Sequence, residues 1–215
     1  MKIIEKIYYT LSAESRKKKF EQFLLEIKPK NNETIIDVGV NNQEYSESDN
    51  YLEKHYSAIE NITAVSKDDI HLFKEKYPKI RSILADGLSL PFPDNSFAIG
   101  YSNAVIEHVG DRNNQIKFLQ ELYRVSGRGY ITTPNGHFPL ELHTRVLFLH
   151  LLLPKKYFDL FLKWIGKEWA AGDYMNLVSR KDIVELMSKA GIKQYRIISN
   201  FIFGIPVTFS VLWEK

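Results

Sequence analysis

Apolar residues follow two spacings along this chain, one typical of buried strands and one typical of amphipathic helices. From residue 34 onward, short β-branched or aromatic runs alternate with segments whose apolar residues recur every three or four positions. Strands are predicted over residues 34–40, 61–66, 80–87, 97–106, 129–134, 195–204 and 206–215. Helices are predicted between them, over residues 48–56, 68–77, 114–127 and 179–191.

This alternation predicts the order of layers in the fold. Strands separated by helices of this length indicate βαβ units and a parallel sheet, with right-handed crossovers placing helices on both faces. The last two strands are joined through "GIP", which is too short for a crossover helix, so we expect them to pair antiparallel. The expected fold is a three-layer α/β sandwich around a mostly parallel seven-stranded sheet with an antiparallel final strand.

Residues typical of helix ends support two of the predicted helices. Ser179 and Asp182 have the spacing of a capping pair, and Gly191 resembles a C-terminal stop for the same helix. Gly127 is placed to end the amphipathic helix over residues 111–126.

The length of 215 residues suits one domain over residues 1–215. We expect residues 1–33 to form an N-terminal helical segment and residues 136–178 to form a helical cap inserted after the fifth strand. The basic run "RKKK" at 16–19 is interpreted as a solvated helix face, with an acidic partner as the alternative.

Composition narrows the classes of protein. The net charge is +3, from 29 basic and 26 acidic residues, so a dedicated nucleic-acid binder is not expected. The absence of cysteine excludes disulfides, thiolate metal sites and cysteine nucleophiles. The N-terminus does not resemble a signal peptide, and the longest apolar run, 146–154, is too short to span a membrane. We therefore expect a cytoplasmic protein, as a monomer or a dimer.

Polar residues follow the apolar strands at their carboxyl ends, where open α/β sheets bind ligands. They are Asp37, Gly39, Ser66, Asp86, Gly87, Asn103 and the segment Thr133 to Asn135. Each of them alone could simply cap a turn or end a strand. Their occurrence at successive strand ends favours a ligand site.

The loop after the first strand departs from a phosphate-binding loop. In "TIIDVGVNNQ", Gly39 is followed by Asn41 and Gln43 at positions where such a loop would carry further glycines. The segment could bind a cofactor other than a dinucleotide, could be a decayed cofactor loop, or could be only a strand and its turn.

One segment resembles a known family. The stretch "ADGLSLPFPDNSFAIGYSNAVIEHV", residues 85–109, resembles the central part of class I S-adenosylmethionine-dependent methyltransferases, in their small-molecule, type 11-like branch. With "DVG", the helix 111–126 and "YITTPN", the resemblance covers roughly residues 34 to 135. It implies a Rossmann-like fold and S-adenosyl-L-methionine as cofactor. Because that cofactor has no pyrophosphate, a variant "DVGV" loop with one glycine can serve, and NAD or a nucleotide is disfavoured.

The resemblance also implies roles for the residues at the strand ends. Asp37 and the backbone at Gly39 would contact the methionine end of the cofactor. Asp86 would accept from the adenine amino group, and the backbone from Gly87 would read the ring edge. Asn103 would lie beneath the methionine moiety, near the transferred methyl group.

Two positions depart from the family pattern. Ser66 ends the second strand, where the family usually has an acidic residue that binds the ribose hydroxyls, so Asp68 or Asp69 would have to substitute. Ala98 replaces a customary aspartate whose role is chiefly structural.

The acceptor side is predicted from "TPNGHFPLELHT", which follows the fifth strand directly. His143 is the candidate base or acceptor-orienting group, with Glu141 as its partner, and His108 is a second candidate base. Alternatively, Glu141 and His143 are structural groups that anchor the cap. The spacing of His137, Glu141 and His143 has no metal-ligand motif, so no metal site is predicted.

The cap and the acceptor leave alternatives open. The aromatic-rich cap could cover an acceptor pocket, or residues 144–169 could contact a membrane surface, because Lys155, Lys156 and Lys163 flank apolar side chains. We expect methyl transfer to a small-molecule or glycan-type acceptor; no "NPPY" motif suggests a nucleobase. The competing hypothesis is a non-catalytic binding protein with a methyltransferase fold and a degenerate cofactor loop.

Overall fold

The structure is a computed structural model that describes residues 2–138, 146, 149–172, 175–202 and 204–215, without the side chains of 2–12, 150 and 169. The helices are α1 (Lys2–Ile27), α2 (Tyr51–His55), α3 (His71–Lys76), α4 (Arg112–Val125), α5 (Leu149–Leu152), α6 (Lys155–Trp164) and α7 (Arg180–Lys189). The strands are β1 (Ile35–Val38), β2 (Ile62–Ser66), β3 (Arg81–Leu84), β4 (Phe97–Asn103), β5 (Ser126–Pro134), β6 (Tyr195–Ile202) and β7 (Ile205–Glu214).

The seven strands form one sheet in the order β3-β2-β1-β4-β5-β7-β6. Strands β1 to β5 pair in parallel, whereas β7 runs antiparallel to both β5 and β6. This architecture confirms the predicted α/β class, including the antiparallel pairing of the last two strands. The strand order reverses between β1 and β4, which is the switch point where open α/β sheets bind ligands.

Buried apolar clusters cover both faces of the sheet. On one face, α4 and α7 pack through residues such as Phe118, Leu122 and Leu186. On the other face, α1 contributes Phe23 and Ile27 to a cluster that also includes residues of α2 and α3. The long helix α1 therefore belongs to the packed core, and its position over the sheet brings it beside the ends of β1 and β4.

The predicted N-terminal cap of α7 is confirmed, and the predicted C-terminal end of α4 is wrong. Ser179 accepts a hydrogen bond from the Asp182 N–H and the Asp182 side chain accepts from the Ser179 N–H, so the predicted capping box forms. Gly127 does not end α4, because the helix stops at Val125 and β5 begins at the next residue.

The fourth strand is shorter than expected. It ends at Asn103, since Ala104 takes a positive φ of 60° and turns the chain away from the sheet. Ile106 to His108 then form a short 3-10 helix rather than the end of a strand.

Helices α5 and α6 lie within the segment predicted to be a cap. Phe158, Leu162, Ala170 and Met175 form a small buried cluster separate from the two main ones. In the part of the chain that the structure describes, no helix is long and apolar enough to cross a membrane.

Candidate functional site

A polar crevice opens where β1 and β4 end. It is lined by Arg16 from α1, Asp37 and Gly39 from the first strand and its exit, Tyr101 and Asn103 from β4, and residues 48–52 around the start of α2. Three of the residues predicted from the strand ends, Asp37, Gly39 and Asn103, therefore lie together. The crevice sits at the switch point of the sheet, where the parallel strands diverge.

Asp37 is the buried acid of this crevice. Its residue is only 6% exposed, and α2 brings a second buried carboxyl, Glu53, to within its reach. Burial, followed by the negative charge of Glu53, raises the pKa of Asp37 well above its usual range. The sequence pointed to Asp37 but gave no sign of Glu53, because the contact depends on how α2 packs on β1.

Arg16 supplies the positive charge of the crevice. It lies on the α1 face that also buries Phe20 and Phe23, and its guanidinium lies 3.5 Å from the main-chain oxygen of Asn103. The interpretation of "RKKK" as a solvated face is therefore wrong for Arg16 and for Lys19, which is 6% exposed, although Lys17 and Lys18 are exposed. The i, i+3 spacing of Arg16 and Lys19 along the apolar stripe was the signal that could have located them.

Asn103 ends β4 at the floor of the crevice. Its side-chain oxygen accepts a hydrogen bond from the Thr132 hydroxyl of β5, which fixes the orientation of the amide. The Ala104 N–H is bonded to the Thr132 carbonyl at 2.9 Å, so the neighbouring strand anchors the turn as well.

Position 39 requires a glycine because of its backbone conformation and its close packing. Its φ is +108°, and a Cβ built there would lie 2.3 Å from Cγ2 of Val105. The Gly39 N–H donates to the Val65 carbonyl at 2.8 Å, so this amide is already used within the sheet. The glycine permits a close approach of two chain segments, and only its remaining surface faces the crevice.

Side chains, rather than glycines, shape the loop after Gly39. The Asn41 N–H donates to the Asn50 side chain, whose NH₂ returns a bond to the Asn41 carbonyl, both at 2.9 Å. Asn42 accepts from the Leu72 and Phe73 N–H groups and so satisfies the first turn of α3. The loop after Gly39 is therefore held by its own hydrogen bonds and by a contact with α3.

Glu44 is the electrostatic anchor of the same loop. Its carboxylate pairs with Lys54 at 2.8 Å and Lys76 at 2.5 Å, and accepts from the Tyr77 hydroxyl at 2.6 Å. Burial alone would raise the pKa of Glu44, but these bonds outweigh it and lower the pKa to about 2. The loop is thus held in place at any pH near neutrality.

The end of β2 carries the two predicted ribose contacts. Ser66 is the last residue of the strand and is 7% exposed, whereas Asp68 is exposed two residues later. Asp69, the alternative, already accepts hydrogen bonds from His71 and Asn42. Asp68 is therefore better placed than Asp69 to offer its carboxylate to a ligand.

Asp86 and Gly87 follow β3 at the same edge of the sheet. One carboxylate oxygen of Asp86 accepts from the Leu88 N–H at 2.9 Å, as in an Asx turn, and the side chain is otherwise exposed. Gly87 packs tightly, since a Cβ there would lie 2.9 Å from the Phe118 ring. One carboxylate oxygen of Asp86 thus stabilises the turn, as the turn interpretation expects. The same turn orients the other oxygen, which has room to accept from a ligand.

The structure describes one of the three predicted catalytic residues, His108. Glu141 and His143 lie outside the described residues. His108 is half-buried in the 3-10 helix and its N–H donates to the Val105 carbonyl at 2.8 Å. Its neighbour Glu107, which sequence reasoning did not select, is fully buried and accepts from the Thr133 hydroxyl at 3.1 Å, with its second oxygen unpaired.

A comparison with protein families gives a match for the central part of the chain. A family model described as "Methyltransferase domain" matches residues 36–132, which run from β1 into β5. A search of the curated proteins finds no match.

Solved structures share the fold over most of the chain. A SAM-dependent methyltransferase from Methanosarcina mazei is 16% identical, with 89% of this chain and 96% of the other covered at a TM-score of 0.59. One from Aquifex aeolicus is 17% identical, with 90% and 87% covered at 0.57. Haemonchus contortus phosphoethanolamine N-methyltransferase 2, in complex with S-adenosyl-L-methionine, is 15% identical, with 91% and 52% covered at 0.58. At these identities, the likeness establishes the fold.

The family match and the fold point to the same kind of domain. Residues 36–132 match the model of a methyltransferase domain, and the sheet that they belong to has the Rossmann-like fold of the solved methyltransferases. The likeness thus establishes a Rossmann-like methyltransferase fold for the chain, and the match to a methyltransferase domain is confined to residues 36–132.

Proposed function

We propose that this chain transfers the methyl group of S-adenosylmethionine to a small-molecule or glycan-type acceptor. The observation that carries the proposal is the polar crevice at the ends of β1 and β4. Arg16 and Asp37 line it from opposite elements, and they offer a cation and a carboxyl to a single ligand. An α-amino acid group, with one ammonium and one carboxylate, has the complementary pair of charges. The residues of the crevice therefore fit the methionine end of the cofactor.

The cofactor-binding residues are assigned along the edge of the sheet. Asp37 would accept from the ammonium, Arg16 would pair with the carboxylate, and Asn103 would support the chain beside the methyl group. Gly39 lets the backbone pass close to the ligand. The remaining residues would bind the nucleoside: Ser66 and Asp68 at the ribose, and Asp86 with the Gly87 backbone at the adenine.

Methyl transfer requires the protein mainly to align the acceptor with the methyl group. When bound, the cofactor supplies a sulfonium-activated methyl group, so the chain mainly needs to hold an acceptor in line with it. A base is needed only if the acceptor must lose a proton. We assign that role to His143 with Glu141 as its partner, and keep His108 as the alternative.

An acceptor cavity is available at the end of the neighbouring strand. A cavity of about 230 Å³ begins at Gly136 and His137, directly after β5, and is walled by Phe158, Met175 and Leu177 of the cap region. Since β4 and β5 are parallel neighbours, this cavity opens at the same edge of the sheet as the crevice. Its mixed polar and apolar wall supports a small organic acceptor, and we propose that the inserted segment 136–178 serves as its cap.

The proposal is tested with methyl-labelled S-adenosylmethionine. The protein is incubated with the labelled donor and fractionated metabolite extracts, and transfer of label to a new product is measured. Asp37→Asn should abolish transfer, whereas Glu75→Gln, which neutralises an exposed carboxylate on α3, should not. Absence of any labelled product across the fractions, with the donor bound, would favour the non-catalytic alternative.

That alternative rests on a specific observation. The backbone of Asn41 and the side chains of Asn42 and Glu44 are all committed to bonds within the loop or to α2 and α3. A protein that only senses the cofactor would need such an ordered site but no acceptor cavity. Filling the cavity separates the two functions: Leu177→Trp should block transfer in an enzyme and should leave a cofactor sensor's binding unchanged.

We also propose that α6 contacts an anionic membrane surface. On its outer face, Tyr157, Leu160 and Trp164 are 60%, 66% and 82% exposed, and Lys156 and Lys163 lie on the same side of the helix. Aromatic and apolar side chains beside lysines are typical of interfacial helices.

Vesicle sedimentation tests this contact. The protein should sediment with phosphatidylcholine vesicles that contain phosphatidylglycerol, and Leu160→Ser combined with Trp164→Ser should abolish binding. Leu25→Ser, at an exposed leucine of α1, is the matched control and should have no effect. Equal sedimentation with and without the anionic lipid, or unchanged binding of the double variant, contradicts the proposal.

A further inference from the structure

A second carboxyl, which lies beside Asp37 and does not line the crevice itself, has no role in the proposed function. Glu53 of α2 is 3% exposed, and both of its side-chain oxygens are buried without a hydrogen-bond donor. Its carboxyl neighbours that of Asp37 closely enough for the two to share a hydrogen bond. A buried carboxylate without a donor is costly, so the arrangement needs either a proton or a cation between the two groups.

We infer that Asp37 and Glu53 share one proton in the ligand-free protein, and that the α-ammonium of S-adenosylmethionine displaces this proton when the cofactor binds. The inference rests on the proposed function and deepens it. The O–H bond of the carboxyl breaks and its proton leaves to solvent. The ammonium keeps its own protons and donates to both carboxylates. Glu53 is thus a positioning residue that acts together with Asp37.

The pair of carboxyls can hold either the shared proton or the ammonium of the cofactor, but not both. Carboxylates only accept hydrogen bonds, so two of them in contact repel unless one is protonated and becomes a donor. Burial is the first cause that raises the pKa of Glu53, to about 7, and it also raises that of Asp37. An ammonium between the groups replaces the proton, because it supplies both the positive charge and the donors.

Other charges surround the pair and do not neutralise it. Arg16 of α1 lowers the pKa of Asp37, but less than burial and Glu53 raise it. Next to Glu53, Lys54 favours its ionised form and Glu44 opposes it. On β4, burial followed by the charge of Asp37 raises the pKa of Tyr101, so this hydroxyl stays neutral.

Lys19 is a further group with a pKa close to that of Glu53. Burial, followed by the charge of Arg16, lowers the pKa of Lys19 to about 7, and the carboxylate of Glu107 opposes this shift. Lys19 lies on α1 behind Arg16 and is present in every variant used below, so its contribution cancels when variants are compared.

Calorimetry of cofactor binding tests the inference. S-adenosylhomocysteine, which keeps the ammonium and the carboxylate, is titrated at pH 6 into the protein in buffers of low and high ionisation enthalpy. The dependence of the binding heat on the buffer gives the number of protons released. We expect nearly one proton for the native chain, and fewer as the pH is raised. Glu53→Gln should release fewer protons than the native chain, because burial alone still raises the pKa of Asp37, and Glu75→Gln should behave as the native chain.

The outcomes separate this inference from the proposed function. 5′-Methylthioadenosine lacks the amino acid group, so any binding of it should release no proton. Binding of S-adenosylhomocysteine without proton release, or with equal release in the native chain and Glu53→Gln, overturns the shared proton and leaves the methyltransferase proposal standing. No binding at all by the folded native chain overturns both. Circular dichroism melting confirms that Glu53→Gln is folded.

Discussion

The tight contact between Gly39 and Val105 predicts that Gly39→Ala causes a large loss of stability. A second substitution at Val105 should restore part of it. The new Cβ would meet Cγ2 of Val105 at 2.3 Å and Cγ1 at 3.0 Å, both far inside normal contact. Overpacking of this kind costs about 1–3 kcal/mol. The φ of +108° adds strain of about 1–3 kcal/mol for a residue with a Cβ. We therefore expect Gly39→Ala to lower the free energy of unfolding by about 2–6 kcal/mol.

Shortening Val105 should relieve only the steric part of this loss. In Val105→Ala both methyl contacts disappear, but Cβ of residue 105 would still lie 3.2 Å from the new Cβ, and φ is unchanged. The double variant should therefore be more stable than the sum of the single effects by about 1–2 kcal/mol. Urea unfolding of the four proteins, with unchanged m-values, measures this coupling. Effects that add to within about 0.5 kcal/mol would refute the argument from the Val105 contact.

Three further predictions concern ligand binding, turnover and pH. Asp86→Ala should weaken cofactor binding by about 1–3 kcal/mol, because the adenine amino group loses its acceptor; unchanged affinity in calorimetry would show that Asp86 is only a turn residue. His143→Ala should lower turnover by about 10²–10⁴-fold if His143 is the base, with cofactor affinity nearly unchanged; single-turnover kinetics that match the native chain would remove it from catalysis. Glu53 has a folded-state pKa of about 7, above the 4.5 of an ordinary glutamate, so its contribution to stability is present below about pH 4.5 and is lost as pH rises toward 7. Ligand-free Glu53→Gln should thus gain stability over the native chain across that range, by up to about 3 kcal/mol, and parallel pH profiles in urea unfolding would contradict this.

The fold could be predicted from the sequence because its determinants are local. The β-branched runs, the Ser179–Asp182 capping pair and the short link before the last strand each act within a few residues, and each formed as expected. Polar residues near the strand ends were recognisable for the same reason, although β4 stops earlier than predicted, and Asp37 and Asn103 line the same crevice. The exceptions were boundaries: helix α4 continues directly into a strand at Ser126, which no local signal near Gly127 indicated.

Much of the candidate site could not be predicted, because it depends on how distant helices pack. Arg16 reaches the crevice from α1, which precedes β1, and Glu53 of α2, which follows β1, reaches Asp37. No motif links either residue to a strand end. Charged side chains are usually solvated, so a buried Lys19 or Glu107 is improbable from sequence alone. The ordered loop is a similar case: Asn42 has no local signature as the residue that satisfies the first turn of α3, since the two are 30 residues apart.

Equilibrium dialysis against methyl-labelled S-adenosylmethionine tests the central claim most directly. The crevice of Arg16, Asp37 and Asn103 fits an amino acid group, and the loop after Gly39 lacks the glycines of a pyrophosphate site. We expect saturable binding of one labelled molecule per chain, displaced by S-adenosylhomocysteine and not by NAD. No saturable binding by the folded protein, or displacement by NAD at equal concentration, would contradict the account.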